Sequence, residues 1–192
     1  MLSSDLLTRI KDVLNKREPA IIKDNTGRYR EASVLVPVFE KEGRVFLLFI
    51  KRSNYVEHHK GQISFPGGEV DKTDPSVEYT ALREAYEEIG IKKEDVKILG
   101  RLDDTITFVS RYIVHPFIGL IPYPYSFVIN KKEVEKLMFV PLDFLLKKGA
   151  IKEEPVLYEG RIYKSLVFRY DSEMVWGATA RMVKNLIDII GA

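Results

Sequence analysis

The chain has 192 residues, 45% of them hydrophobic and 30% charged, which is enough apolar material for a full core and enough charge for a wetted surface. A formal net charge of +2 provides no basic field for nucleic acid or an anionic membrane. There is no cysteine, which excludes a disulfide scaffold, cysteine-ligated zinc and a thiol nucleophile.

The first sixteen residues, "MLSSDLLTRIKDVLNK", are interrupted by Asp5, Arg9 and Lys11, so they lack the apolar block of a signal peptide. Leu2, Leu6, Leu7, Ile10, Val13 and Leu14 recur at helical spacing and predict a helix over residues 3–16, packed by one face. Residues 32–39 and 44–51 are β-branched and aromatic around the turn "EKEG". They predict a hairpin, with Pro37 marking an edge position or a bulge. "QISF" reads as a short strand ending at Pro66-Gly67-Gly68. A helix is expected next, with Asp74 as N-cap, Pro75 at the first helical position and Gly90 just past the end.

"VKILGRLDD", "RYIVHPFIGLI" and "RIYKSLVFRY" are further strands, and a strand passes into a short helix around Pro141. Residues 174–190 form a closing helix, with Val175, Thr179, Met182, Val183, Leu186 and Ile190 along one face. The most apolar stretch, "FIGLIPYPYSFVI", is broken by Pro122 and Pro124 and is too short to span a bilayer. The expectation is a single cytoplasmic α/β domain over residues 1–192, with helices covering a mixed β-sheet.

Within "TALREAYEEIGI" the acids crowd the carbonyl end of a helix, where the dipole disfavours each by roughly 0.3–1 kcal/mol. At about 100° per residue, Glu87 falls roughly 60° to one side of Glu84 and Glu88 roughly 40° to the other. The three carboxylates therefore share one face, opposite Leu82, Ala85 and Ile89. A solvated acidic surface is one reading. A bound divalent cation such as Mg²⁺, held by a few carboxylates plus substrate phosphates, is the other. Upstream, Gly67 and Gly68 follow a short strand directly, which suits either an ordinary turn or a close backbone approach to a ligand.

Gly-Gly, fourteen residues, then "REAYEEIGI" resembles the Nudix box of Nudix hydrolases, G-x5-E-x7-R-E-U-x-E-E-x-G-U, with U aliphatic. Gly68, Arg83, Glu84, Ala85, Glu87, Glu88, Gly90 and Ile91 fill its positions. Asp74 stands where the first Glu is expected, and one extra residue separates it from Arg83. The resemblance implies an α/β/α sandwich around a mixed sheet, and Mg²⁺- or Mn²⁺-dependent hydrolysis of a nucleoside diphosphate linked to another moiety. It assigns Glu84, Glu87 and Glu88 to the metal, and Arg83 to orienting them. The general base is Glu88 or a carboxylate from a later loop, among Glu133, Glu135, Glu153 and Glu154.

"LLFIKRSNYVEHHKGQISFPGG" resembles the motif before the box in coenzyme A pyrophosphatases, LLTxR[SA]x3Rx3Gx3FPGG. Leu48, Arg52, Ser53, Gly61, Phe65, Pro66, Gly67 and Gly68 match, while Glu57 replaces the second Arg. "LDD…T…S…V.PFIG" over 102–119 and "VWGATARM" also look like that subgroup. The resemblance implies substrate contacts from Arg52, Phe65, Gly67 and Gly68. His59 reads either as a further contact or as a structural histidine, and Phe108, Tyr112 and Tyr123 as adenine stackers or core.

The expected activity is hydrolysis of coenzyme A to 3′,5′-ADP and 4′-phosphopantetheine. The alternative is another Nudix diphosphatase acting on ADP-ribose, a dinucleotide or a nucleoside triphosphate. A nucleotide sensor without hydrolysis is disfavoured by the intact glutamates. Expected partners are a small-molecule diphosphate, with no nucleic acid and no membrane; a homodimer is left open.

Overall fold

The structure, a computed structural model, describes residues 3–55 and 60–191. Strands β1 (Arg30–Lys41) and β2 (Arg44–Arg52) form the expected hairpin, with Lys41 opposite Arg44. Its two loop residues, Glu42 and Gly43, both have positive φ, as a tight type I′ connection demands. Both strands read as near-continuous apolar runs because both of their faces are covered. Val36, Val38, Leu47 and Phe49 point to one layer, and Leu35, Phe39, Leu48 and Ile50 to the other.

The sheet is mixed. β7 (Tyr112–Leu120) runs parallel to β1 from Arg30 to Val38, and β5 (Lys97–Arg101) pairs with the outer side of β7. β8 (Val134–Pro141) pairs with β2. Short strands complete it: β3 (Ile63–Ser64) on β2, β4 (Gly67–Glu69) on β1, and β6 (Thr105–Ile106) on β7.

Pro37 is neither at an edge nor in a bulge, since β1 is central. One side of β1 is shared: β4 takes Ala32–Val34, the Leu35 N–H donates to the Pro66 carbonyl, and β2 begins at Val38. The nitrogen of Pro37 falls in the gap where one neighbour hands over to the next, so no ladder hydrogen bond is lost.

Helix α2 (Val77–Ile89) covers one face through Ala81, Ala85 and Ile89. On the opposite face α1 (Ser3–Lys16) packs through Leu6, Ile10 and Leu14, and α4 (Gly177–Gly191) through Met182, Val183, Leu186 and Ile190. A short α3 (Leu142–Leu145) follows β8. A second, antiparallel sheet holds β9 (Lys152–Tyr158), β10 (Arg161–Tyr170) and β11 (Glu173–Trp176).

Two boundaries differ from the sequence expectation. The closing helix starts at Gly177, because Glu173–Trp176 pairs with β10 instead. Helix α2 starts at Val77, with Ser76 as N-cap accepting from the Tyr79 N–H at 3.1 Å. Asp74 is drawn away from the capping position by Arg83 and Thr80. Gly90 does close the helix at φ 73°, where any Cβ would also meet Val128 at 2.8 Å. No helix among the described residues is long and apolar enough to cross a membrane.

Candidate active site

The last two turns of α2 lie against β4, and this contact sorts the three glutamates into different environments. Glu88 is buried, with 1% of its side chain exposed. Its Oε2 accepts from the Gly67 N–H at 3.0 Å, and its Oε1 faces Arg52 Nη1 at 3.4 Å. Burial pushes its carboxyl up to about 8; Arg52 and the Gly67 N–H pull it down, while Glu84 and Glu133 push it further up. Glu84 packs on the backbone of Gly68, where an added Cβ would stand 2.4 Å from its Cδ. Burial raises its carboxyl too, against the pull of Arg83. Glu87 is half exposed.

Arg83 ties this face together. Its Nε and Nη2 grip Asp74 at 3.0 and 2.9 Å, and its Nη1 reaches Glu84 at 2.6 Å and Glu87 at 3.1 Å. A planar guanidinium suits this fork-like engagement. The pairing with Asp74 holds that carboxyl down at about 2 and raises the arginine above its ordinary value. The acids at the wrong end of the dipole are thus partly answered from within the chain. Among the described residues Arg83 serves Glu84 and Glu87, and Arg52 is the cation that serves Glu88.

The remaining expectations divide by place. Phe65 is buried and stacked on Phe49 with centroids 4.5 Å apart, although it also lines the cavity described below. His59 and Glu57 lie outside the described residues. Among the four later carboxylates, only Glu133 acts on both Glu84 and Glu88. It accepts from Asn130 Nδ2 at 2.8 Å, in a loop fastened to α2 by the Asn130 N–H on the Glu88 carbonyl. Glu135, Glu153 and Glu154 are engaged by Lys51, Lys164 and Arg169.

Tyr123 is stacked on Phe39 in the core, and the Tyr112 hydroxyl donates to Glu69. Phe108 alone of the three candidate stackers is largely exposed, at 74%. The "LDD" acids are fasteners: Asp103 accepts from the Ala20 N–H and from Asn185, and Asp104 from the Ile22 N–H.

Beside Gly67 and Arg52 opens a cavity of about 250 Å³. Its walls come from β1, β3, the loop after β6, the second sheet and the first two turns of α4, with Phe65, Phe108, Tyr158, Tyr163 and Trp176 as aromatic members. Its described lining includes Arg52, Lys164 and Arg181 and no aspartate or glutamate. Sequence reasoning missed Tyr158, Tyr163 and Trp176 as wall residues. The only available signal was that "VWGATARM" interrupts an otherwise regular helical pattern with a tryptophan and a glycine.

Among the described residues no three aspartate, glutamate or histidine side chains converge as a finished metal cage. The residues nevertheless fit a hard cation completed by substrate oxygens. Glu84 and Glu88 are carboxyl groups raised by burial, and among the described residues Glu88 meets one backbone N–H and one distant guanidinium.

The NUDIX domain family matches residues 29–159, a span that takes in the glycine turn and the whole of α2. The "Uncharacterized Nudix hydrolase NudL" of Photorhabdus laumondii is 35% identical over 168 residues, covering 88% of this chain and 87% of the relative. The protein of the same name from Enterobacter sp. strain 638 is 34% identical over 173 residues, covering 90% and 88%. A Nudix hydrolase structure from Alicyclobacillus acidocaldarius superposes with a TM-score of 0.55 over 83% of this chain and 91% of that one, at 17% identity. The chain belongs to the Nudix hydrolases. It is an enzyme that cleaves pyrophosphate bonds.

Proposed function

We propose that this Nudix hydrolase cleaves the diphosphate of coenzyme A, giving 3′,5′-ADP and 4′-phosphopantetheine, with Mg²⁺ or Mn²⁺ held by Glu84, Glu87 and Glu88. The observation that carries the reading is the cavity. It joins Arg52 and Gly67, both in contact with Glu88, to an apolar chamber walled by Phe108, Tyr158 and Trp176. A diphosphate bearing a flat base on one side and a long uncharged arm on the other matches that combination.

A divalent cation held by Glu84, Glu87 and Glu88 would supply the charge that neutralises the diphosphate and stabilises the leaving oxygen. The chain's own groups do the rest. Glu88, buried beside the Gly67 N–H and Arg52, takes the proton of the attacking water as general base. Glu133 is the later-loop carboxylate whose charge acts on Glu88. Arg83 fixes Glu84 and Glu87, and the Gly67 N–H fixes the rotamer of Glu88. The cavity walls exclude water from the bound arm.

Incubation of the protein with coenzyme A, ADP-ribose, NADH and dATP in the presence of Mg²⁺ tests this directly. Release of 3′,5′-ADP from coenzyme A is expected. Turnover of another compound without that release would remove coenzyme A as the substrate and leave the alternative Nudix diphosphatase.

A further inference from the structure

Among the described residues the cavity lining holds no acid and three cations, and they are not equivalent. Arg52 faces Glu88, and Lys164 pairs with Glu153 at 2.9 Å. Arg181 has only neutral acceptors: its Nη2 donates to the Ile106 carbonyl and its Nε to Thr105 Oγ1 at 3.4 Å. Among the described residues no acid offsets the burial of its guanidinium. A half-buried cation without a counter-ion among the described residues is costly to hold in place, and in a described lining without carboxylates it is a ready partner for an anion. The same guanidinium supports the ring of Phe108 from 5.1 Å, and that ring is 74% exposed. Arg181 lies on α4, beyond the residues 29–159 common to the family.

We propose that Arg181 binds a second phosphate on the substrate, the 3′-phosphate on the ribose of coenzyme A, while the adenine stacks on Phe108. This rests on the coenzyme A reading above and makes it specific. The diphosphate is served by Arg52 and the α2 glutamates, so a further cation with its own aromatic platform suits a further phosphate. ADP-ribose and NADH carry no such group.

The test compares coenzyme A with dephospho-coenzyme A, using the full chain and Mg²⁺. Charge-assisted hydrogen bonding predicts a kcat/KM preference for coenzyme A of roughly 10- to 100-fold, expressed in KM. Arg181→Gln is expected to bring that ratio close to one, and Arg181→Lys to keep part of it. Phe108→Ala is expected to raise KM for both compounds alike and to leave the ratio in place. A wild-type ratio near one overturns the proposal. So does an Arg181→Gln variant that loses both activities equally, which would make the arginine only a brace for the Thr105–Ile106 strand.

Should neither compound be cleaved while ADP-ribose is, the substrate reading fails on its own, and inhibition of ADP-ribose turnover then decides the site. Stronger inhibition by 3′,5′-ADP than by 5′-AMP, lost in Arg181→Gln, supports the phosphate site. Equal inhibition by the two nucleotides overturns it.

Discussion

Glu88 is 1% exposed and is met by one backbone N–H and one guanidinium at 3.4 Å, so the folded chain holds a carboxylate it solvates poorly. Its folded pKa of about 8 lies above the ordinary 4.5. The folded state therefore binds the extra proton between these values, and stability falls as pH rises through that window. Glu88→Gln removes this liability. In metal-free buffer near about pH 8 the variant should match or exceed the wild type in urea melts, while losing roughly 100-fold or more in hydrolysis. A variant less stable than wild type at that pH would contradict the assigned burial cost.

Asp74 behaves oppositely. Its folded pKa of about 2 lies below the ordinary 3.8, so its contribution is full above about 4 and is lost as pH falls toward about 2, amounting to about 2 kcal/mol. Asp74→Asn should cost about that much in chemical denaturation at neutral pH, with the gap closing in acid. Neither environment is legible in the sequence, because burial and the Arg83 fork depend on residues several turns or strands away.

At the scale of elements, the approach of β4 to α2 sets the site. The two glycines there should fail differently. A Cβ at Gly67 would stand 2.4 Å from the Ser33 carbonyl oxygen and 2.6 Å from the Val34 Cα. That is the backbone of the central strand, which has nowhere to go, so Gly67→Ala should lose about 1–3 kcal/mol in thermal or urea melts. A Cβ at Gly68 meets only the Glu84 carboxyl group, a side-chain end that can move aside. Gly68→Ala should therefore keep most of its stability and lose kcat; equal melting losses in the two variants would refute the distinction.

The helix itself was readable, including its end at Gly90 and the shared face of the three glutamates. Its start was misplaced from Ser76 to Asp74 because both residues are good caps, and only the position of Arg83 shows which carboxylate is already taken. Residues 174–176 were misread as helix because Met-Val-Trp fits either period, and the pairing partner β10 decided the matter.

At the scale of the molecule, the two sides of the sheet carry different duties. The α2 side presents the acids, and the α1 and α4 side carries the larger part of the core. The cavity forms where the second sheet and the start of α4 close over β1 and β3. Its walls are drawn from residues as far apart as Val34 and Met182. Trp176→Ala should therefore act on substrate binding and leave the reacting groups alone. A rise in KM of roughly tenfold or more with a smaller change in kcat is expected from the lost aromatic contact, and a pure kcat defect would place the tryptophan elsewhere in the cycle.

The chain's sequence by itself determined the α/β class, the apolar periods of β1, β2, α1 and α4, the glycine turn, and the acidic face of α2 that the family likeness made specific. Those features are local: each follows from spacing within one or two elements. The tertiary structure decided which glutamate is buried, which arginine answers which acid, that Pro37 sits harmlessly between two neighbours, and that a cavity whose described lining is cationic adjoins the glutamates. Each of these is set by desolvation and by contacts between residues distant in the chain, and neither is written in local spacing.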